Sequence, residues 1–159
     1  MAGKSAGMLQ AGGNVPEVRL RDHSGNEISL GTLTSEGPVV LAFFKISCPV
    51  CQQTMPFLDR ARDNGKIRVI GVSQDDVRST AEFLNEFSPG VETLYDARPY
   101  PASNAFQITH VPTMFQVEPG GVISHAWTGF SKADLTAFGE RAGHPVFREG
   151  ERVPEFRPG

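Results

Sequence analysis

The sequence predicts an α/β fold: a central mixed β-sheet flanked by helices, with an N-terminal β-hairpin extension. Three observations carry this reading. Val39–Phe44 is a continuous apolar run, the pattern of a strand buried on both faces. A second such run covers 67–72, and the stretch between them, 49–64, reads as a helix, which makes a strand–helix–strand unit. Farther on, two strand-like segments at 113–117 and 121–126 flank Glu118-Pro119-Gly120, a turn that returns the chain antiparallel.

The remaining elements follow in order. Residues 1–14 are rich in Gly, Ala and Ser and read as a flexible N-terminal tail. Two short strands at 18–20 and 27–30 alternate around Asp22-His23-Ser24-Gly25-Asn26, the β-hairpin. The helix over 49–64 starts on Pro49, well suited to a first helical position; Pro56 lies inside it, and Asn64-Gly65 ends it. Asp75 and Asp76 are candidate caps for a helix that carries Val77, Ala81, Leu84 and Phe87 at helical spacing and stops at Ser88-Pro89-Gly90. A short strand over 93–95, a short helix over 102–106 and a last helix over 132–142, capped by Ser131, complete the pattern. Residues 15–143 form the predicted domain, and 144–159 an extended C-terminal tail with alternating Arg and Glu. Trp127, Phe43, Phe44, Phe83 and Phe87 are assigned to the core.

The chemistry lies in Cys48-Pro49-Val50-Cys51, the only cysteines of the chain, placed where the buried strand gives way to the helix. A thiol there gains stabilisation of its thiolate from the helix N-terminus. A second thiol three residues on lies about one turn away and within reach. The pair can switch between dithiol and disulfide, with Cys48 attacking and Cys51 resolving. A structural zinc needs four ligands; no second CxxC exists, and His23, His110, His125 and His144 lack zinc-finger spacing. Two inert core thiols are the bland alternative. Lys45 either adds positive potential beside Cys48 or points to solvent, and His110 either tunes a thiolate or lies on the surface. No metal constellation surrounds Asp75 and Asp76.

With these residues quoted, 15–143 resembles the thioredoxin-like superfamily, specifically its TlpA/ResA-like and redoxin (AhpC/TSA) branch. The hairpin, the apolar strand, the CxxC, Pro56 five residues past Cys51, and His110-Val111-Pro112-Thr113 all match. The resemblance implies that the Val111–Pro112 bond is cis and sets backbone beside the sulfurs. It implies a substrate surface of Ser47, Val111, Pro112 and Gly129, and a thiol–disulfide oxidoreductase that uses no bound cofactor. The implied partners are a protein or small-molecule disulfide and an upstream thiol reductant. Three family features are missing: a tryptophan where Ser47 stands, and carboxylates where Ala42 and Thr54 stand. The peroxiredoxin pattern Pro-x-x-x-Thr-x-x-Cys fits neither cysteine, so a thiol peroxidase is the lesser expectation and a non-catalytic redox-sensing module another.

Composition narrows the rest. At 159 residues with 39% hydrophobic and 21% charged residues, the chain suits one soluble core. A net charge of −3 gives no electrostatic case for nucleic acid or an anionic membrane. The first residues lack the apolar core of a signal peptide, so the reading from Met1 is a cytoplasmic protein, expected to be a monomer.

Overall fold

The computed structural model describes residues 8–62 and 66–159. In chain order the elements are β1 (Arg19–Arg21), β2 (Glu27–Ser29), α1 (Leu30–Thr34), β3 (Val39–Phe44), α2 (Pro49–Arg62), β4 (Arg68–Ser73), α3 (Val77–Phe87), β5 (Glu92–Tyr95), α4 (Pro101–Ala105), β6 (Thr113–Val117), β7 (Ile123–Thr128), β8 (Phe130–Ser131), α5 (Lys132–Ala142) and β9 (Phe156–Arg157). Seven strands form one mixed sheet in the order β2-β1-β5-β4-β3-β6-β7. The three central strands β5, β4 and β3 run parallel, and antiparallel strands extend the sheet on both sides. This is the mixed sheet the sequence predicts.

Local chemistry sets each element. All six residues of β3 are buried, as a central strand with helices on both faces requires. The β1–β2 turn is tied by Asp22, whose carboxylate accepts from the backbone N–H groups of Ser24 and Asn26, both at 2.9 Å. Asp76 Oδ1 accepts from Ser79 N at 2.8 Å and caps α3; Ser131 Oγ accepts from Asp134 N at 3.1 Å and caps α5. Of the two aspartates read as caps, Asp75 is not one. Its neighbour already serves the helix, and it faces the other way. The predicted stop of α2 at Asn64-Gly65 lies outside the described residues. On α3 the buried positions are Thr80 and Phe83, while Val77 is exposed, so the inward stripe is rotated from the predicted one.

Two structures were not anticipated. Helix α1 forms in a stretch of poor helix formers because Ser29 Oγ caps it and Leu30 and Leu33 bury beneath the sheet. Strands β8 and β9 pair residues far apart in sequence, Phe130 with Arg157 and Ser131 with Phe156.

The sheet separates two apolar clusters. On one face α2, α3 and α5 enclose Phe44, Met55, Leu58, Phe83, Trp127 and Phe138. On the other, α1 and α4 cover Leu41, Phe43, Ile70, Phe106 and Phe115. The Phe43, Phe106 and Phe115 rings pack with centroids 4.8–5.9 Å apart. Where the structure describes them, the segments that composition marks as tails are docked on this body. Gly12 N donates to Ile123 O at 2.8 Å, and Met8 and Leu9 pack against the second cluster. Phe147 lies 4.9 Å from Phe57 of α2, and Val146 is buried.

A two-pronged ion pair fixes residue 151: Arg60 Nη1 and Nη2 reach Glu151 Oε1 and Oε2 at 2.7 and 2.9 Å. The Arg60 fork, with the Arg148 N–H, holds the Glu151 carboxyl down at about 2 against an ordinary 4.5. A depressed carboxylate contributes fully above its ordinary value and loses that contribution as pH falls through the folded one. An NMR titration of the Glu151 carboxyl carbon should therefore give a midpoint near 2, and Arg60→Ala should return it to the ordinary range.

Candidate active site

Three loops converge at the carboxyl edge of β3, where ligands collect in open α/β sheets. Strand β3 delivers residues 45–48. Its parallel neighbour β4 ends at Ser73, opposite Phe44, and delivers Asp75. Its antiparallel neighbour β6 starts at Thr113, opposite Phe43, so the preceding Val111-Pro112 stands beside Cys48. The Val111–Pro112 bond is cis.

Cys48 is the N-terminal cap of α2. Its carbonyl oxygen accepts the first helical hydrogen bond, from Gln52 N at 3.1 Å, and its Sγ accepts from Cys51 N at 3.1 Å. A sulfur takes the place that a Ser or Asp oxygen fills in an ordinary cap, with the positive end of a helix behind it. The same Sγ lies 3.4 Å from the Val111 carbonyl oxygen, to which the thiol form donates. Cys48 is half-buried and Cys51 fully buried. Burial pushes the Cys51 thiol well above the ordinary cysteine value. Its hydrogen bond to Cys48 and the charges of Cys48 and Asp75 add to the rise, and the Lys45 backbone opposes it.

The other sequence candidates differ in how they meet the pair. Ser47 is exposed beside Cys48. The Lys45 side chain is exposed, and its backbone is the part that meets the site: its carbonyl accepts from Cys48 N at 3.3 Å. His110 is exposed, with Nδ1 3.0 Å from Thr109 Oγ1, and among the described residues it makes no hydrogen bond to either sulfur. Its carbonyl accepts from Thr113 Oγ1 at 2.7 Å, which ties the cis-proline loop. Gly129 N donates to Pro112 O at 2.8 Å, so Gly129 borders the same loop. Ala42 is fully buried and Thr54 Oγ1 is spent on Val50 O at 2.8 Å, so neither supplies a base. No group of three or more potential metal ligands occurs among the described residues.

Sequence reasoning missed the role of Asp75. Its Oδ2 accepts from Ile46 N at 2.9 Å and so clamps the loop that carries Cys48. A buried chain behind it sets its position: Asp75 N donates to Ser73 Oγ at 3.0 Å, and Ser73 Oγ lies 2.8 Å from Thr80 Oγ1. A carboxylate at the end of the strand parallel to the cysteine strand was the available signal, masked by the capping reading of the Asp-Asp pair.

The sequence pattern of the AhpC/TSA family matches residues 11–126. This chain belongs to the AhpC/TSA family. The methylamine utilization protein MauD of Paracoccus versutus is 30% identical over 113 residues, 70% of this chain and 55% of MauD. The chain spans about half the length of the curated relatives it matches. Two solved structures from Mycobacterium tuberculosis share the thioredoxin-like fold. DsbF gives a TM-score of 0.68 at 23% identity over 81% of this chain and 97% of DsbF. Peroxidoxin BcpB gives 0.67 at 21% identity over 84% of this chain and 96% of BcpB.

Two outcomes test this geometry. In the reduced protein, iodoacetamide should label Cys48 at least about ten-fold faster than Cys51 at mildly alkaline pH, read by peptide mass mapping, because the thiolate is the reactive form. Asp75→Ala should cost about 1–2 kcal/mol in urea unfolding by leaving Ile46 N–H unpaired, while Asp75→Asn, which keeps an acceptor, should cost less.

Proposed function

We propose that this protein is a thiol–disulfide oxidoreductase that works as a protein-disulfide reductase through Cys48 and Cys51. The observation that carries the reading is the asymmetry of the pair: Cys48 is half-exposed and accepts a helix N-terminal amide, while Cys51 is buried with its proton held. That asymmetry separates an attacking from a resolving thiol.

The Cys48 thiolate attacks one sulfur of the substrate disulfide. That S–S bond breaks, the other substrate sulfur leaves as a thiolate, and Cys48 holds a mixed disulfide. Cys51 then gives up its proton and attacks Cys48 Sγ. The second substrate thiolate leaves, and a Cys48–Cys51 disulfide remains. Two electrons have passed to the substrate, and an external dithiol returns them. An extended substrate segment pairs with the Val111 backbone, as a strand adds to an open edge. Ala42 and Thr54 supply no carboxylate for the resolving proton, and Asp75, which clamps Ile46 N, is the carboxylate held by the loop that carries Cys48.

The test is insulin reduction with a dithiol as terminal reductant. Cys48→Ser should abolish turnover, and Cys51→Ser should accumulate a mixed disulfide. Absence of turnover in the intact protein, with rapid peroxide consumption lost in Cys48→Ser, would replace this reading by a thiol peroxidase. Titration against glutathione sets the direction: a midpoint near about −270 mV supports a reductase, and one near about −120 mV an oxidant.

A further inference from the structure

We propose that residues 155–159 occupy, within the same molecule, the groove in which an extended disulfide-bearing peptide would lie, so that a protein substrate gains Cys48 only when strand β9 leaves β8; this rests on the oxidoreductase reading above. Lys132 N donates to Glu155 O at 3.0 Å, and the ladder continues through Ser131–Phe156 and Phe130–Arg157. That path carries the chain past Gly129 and onto the cis-proline loop.

Two glycines show how close the approach is. Gly129 has φ +74°, and a Cβ there would collide with the Arg157 carbonyl oxygen and lie 3.4 Å from Gly159 N. A Cβ on Gly159 would overlap the Val111 carbonyl and lie 3.3 Å from Pro112 N. The Val111 carbonyl that Gly159 abuts is the one facing Cys48 Sγ. Arg157 Nη1 also donates to Gln53 Oε1 on α2, so the segment bridges the cysteine helix and the proline loop. These are the two walls between which a peptide disulfide must reach Cys48. The occupant covers them by backbone pairing, the mode available to any extended chain.

The segment is held unevenly. Residues 146–151 are fastened by the buried Val146, the Phe147–Phe57 contact and the Arg60–Glu151 pair. Beyond them, Phe156 is 54% exposed, the β8–β9 ladder is two residues long, and the Lys132–Glu155 ion pair is exposed at 3.7 Å. The last turn of chain can detach while its root stays docked, as a strap opens from a fixed end. Low-mass thiol reagents need no cleared groove; a protein disulfide does. The full chain thus favours small substrates until a partner displaces the strap.

The experiment compares the full chain with a variant ending at Pro154 and with full-length Arg157→Pro. The Lys132–Glu155 bond makes Phe130–Arg157 the next hydrogen-bonded pair, so proline at 157 removes a ladder donor while keeping the length. Cys48 labelling is followed with iodoacetamide and with a polyethylene-glycol maleimide, and insulin reduction is measured alongside, all on variants with native circular dichroism. Both variants should speed bulky labelling and insulin reduction about ten-fold, the factor expected if the strap is open a tenth of the time, and leave iodoacetamide labelling within about two-fold. Equal acceleration of both reagents, or none, overturns the strap. Insulin reduction absent in every form, with bulky labelling still accelerated, sinks the reductase reading and leaves the strap standing.

Discussion

The 3.1 Å contact between Cys51 N–H and Cys48 Sγ is the interaction on which the rest of the site depends. It makes the cysteine part of the helix rather than an ornament on it. A capping residue must leave a strand and enter a helix within one position, so the sulfur's place is set by the backbone of β3 and α2 together. The six buried residues of β3 constrain that strand along its whole length, and the thiol inherits the constraint. The neighbours complete the frame: β4 contributes the Asp75 clamp on Ile46 N, and β6 contributes the Val111 carbonyl.

Much of this was legible in the residues. The bounds of β3 follow from an uninterrupted apolar run, and those of α5 from the Ser131 cap and the Gly143 stop, signals that local chemistry alone decides. The nearness of Cys48 and Cys51 was legible from their spacing at a helix start, and the cis bond at Val111-Pro112 from the resemblance to the thioredoxin-like superfamily. Helix α1 was not, because Leu30-Gly31-Thr32-Leu33-Thr34 has weak helix propensity and forms through burial against a sheet that sequence reading cannot place. The β8–β9 pair was hidden for a related reason: two residues of strand give no periodicity, and their partner lies more than twenty positions away. Asp75 was misread because two adjacent aspartates before a helix satisfy a local rule that one of them alone fulfils.

Membership of the AhpC/TSA family and the fold shared with DsbF and BcpB set the frame for the proposed redox role of the CxxC. The departures at Ala42, Ser47 and Thr54 then say what is particular to this chain. Ala42, fully buried, pairs with Gly71 on one side and Met114 on the other, so an apolar methyl stands where relatives of this fold carry a carboxylate.

The outer rims of the sheet bear on solubility. The β1–β2 hairpin ends the sheet on one side with Arg19, Arg21 and Glu27 exposed and paired with one another, at 4.0 and 3.8 Å. At the other end, residues 12–15 lie along the start of β7 and the turn before it and occupy backbone groups there. Charged side chains and a covering segment are the two devices by which natural sheets resist edge-to-edge aggregation. With both rims blunted in this way, strand addition from outside, as proposed for the substrate, is left to the neighbourhood of the thiols.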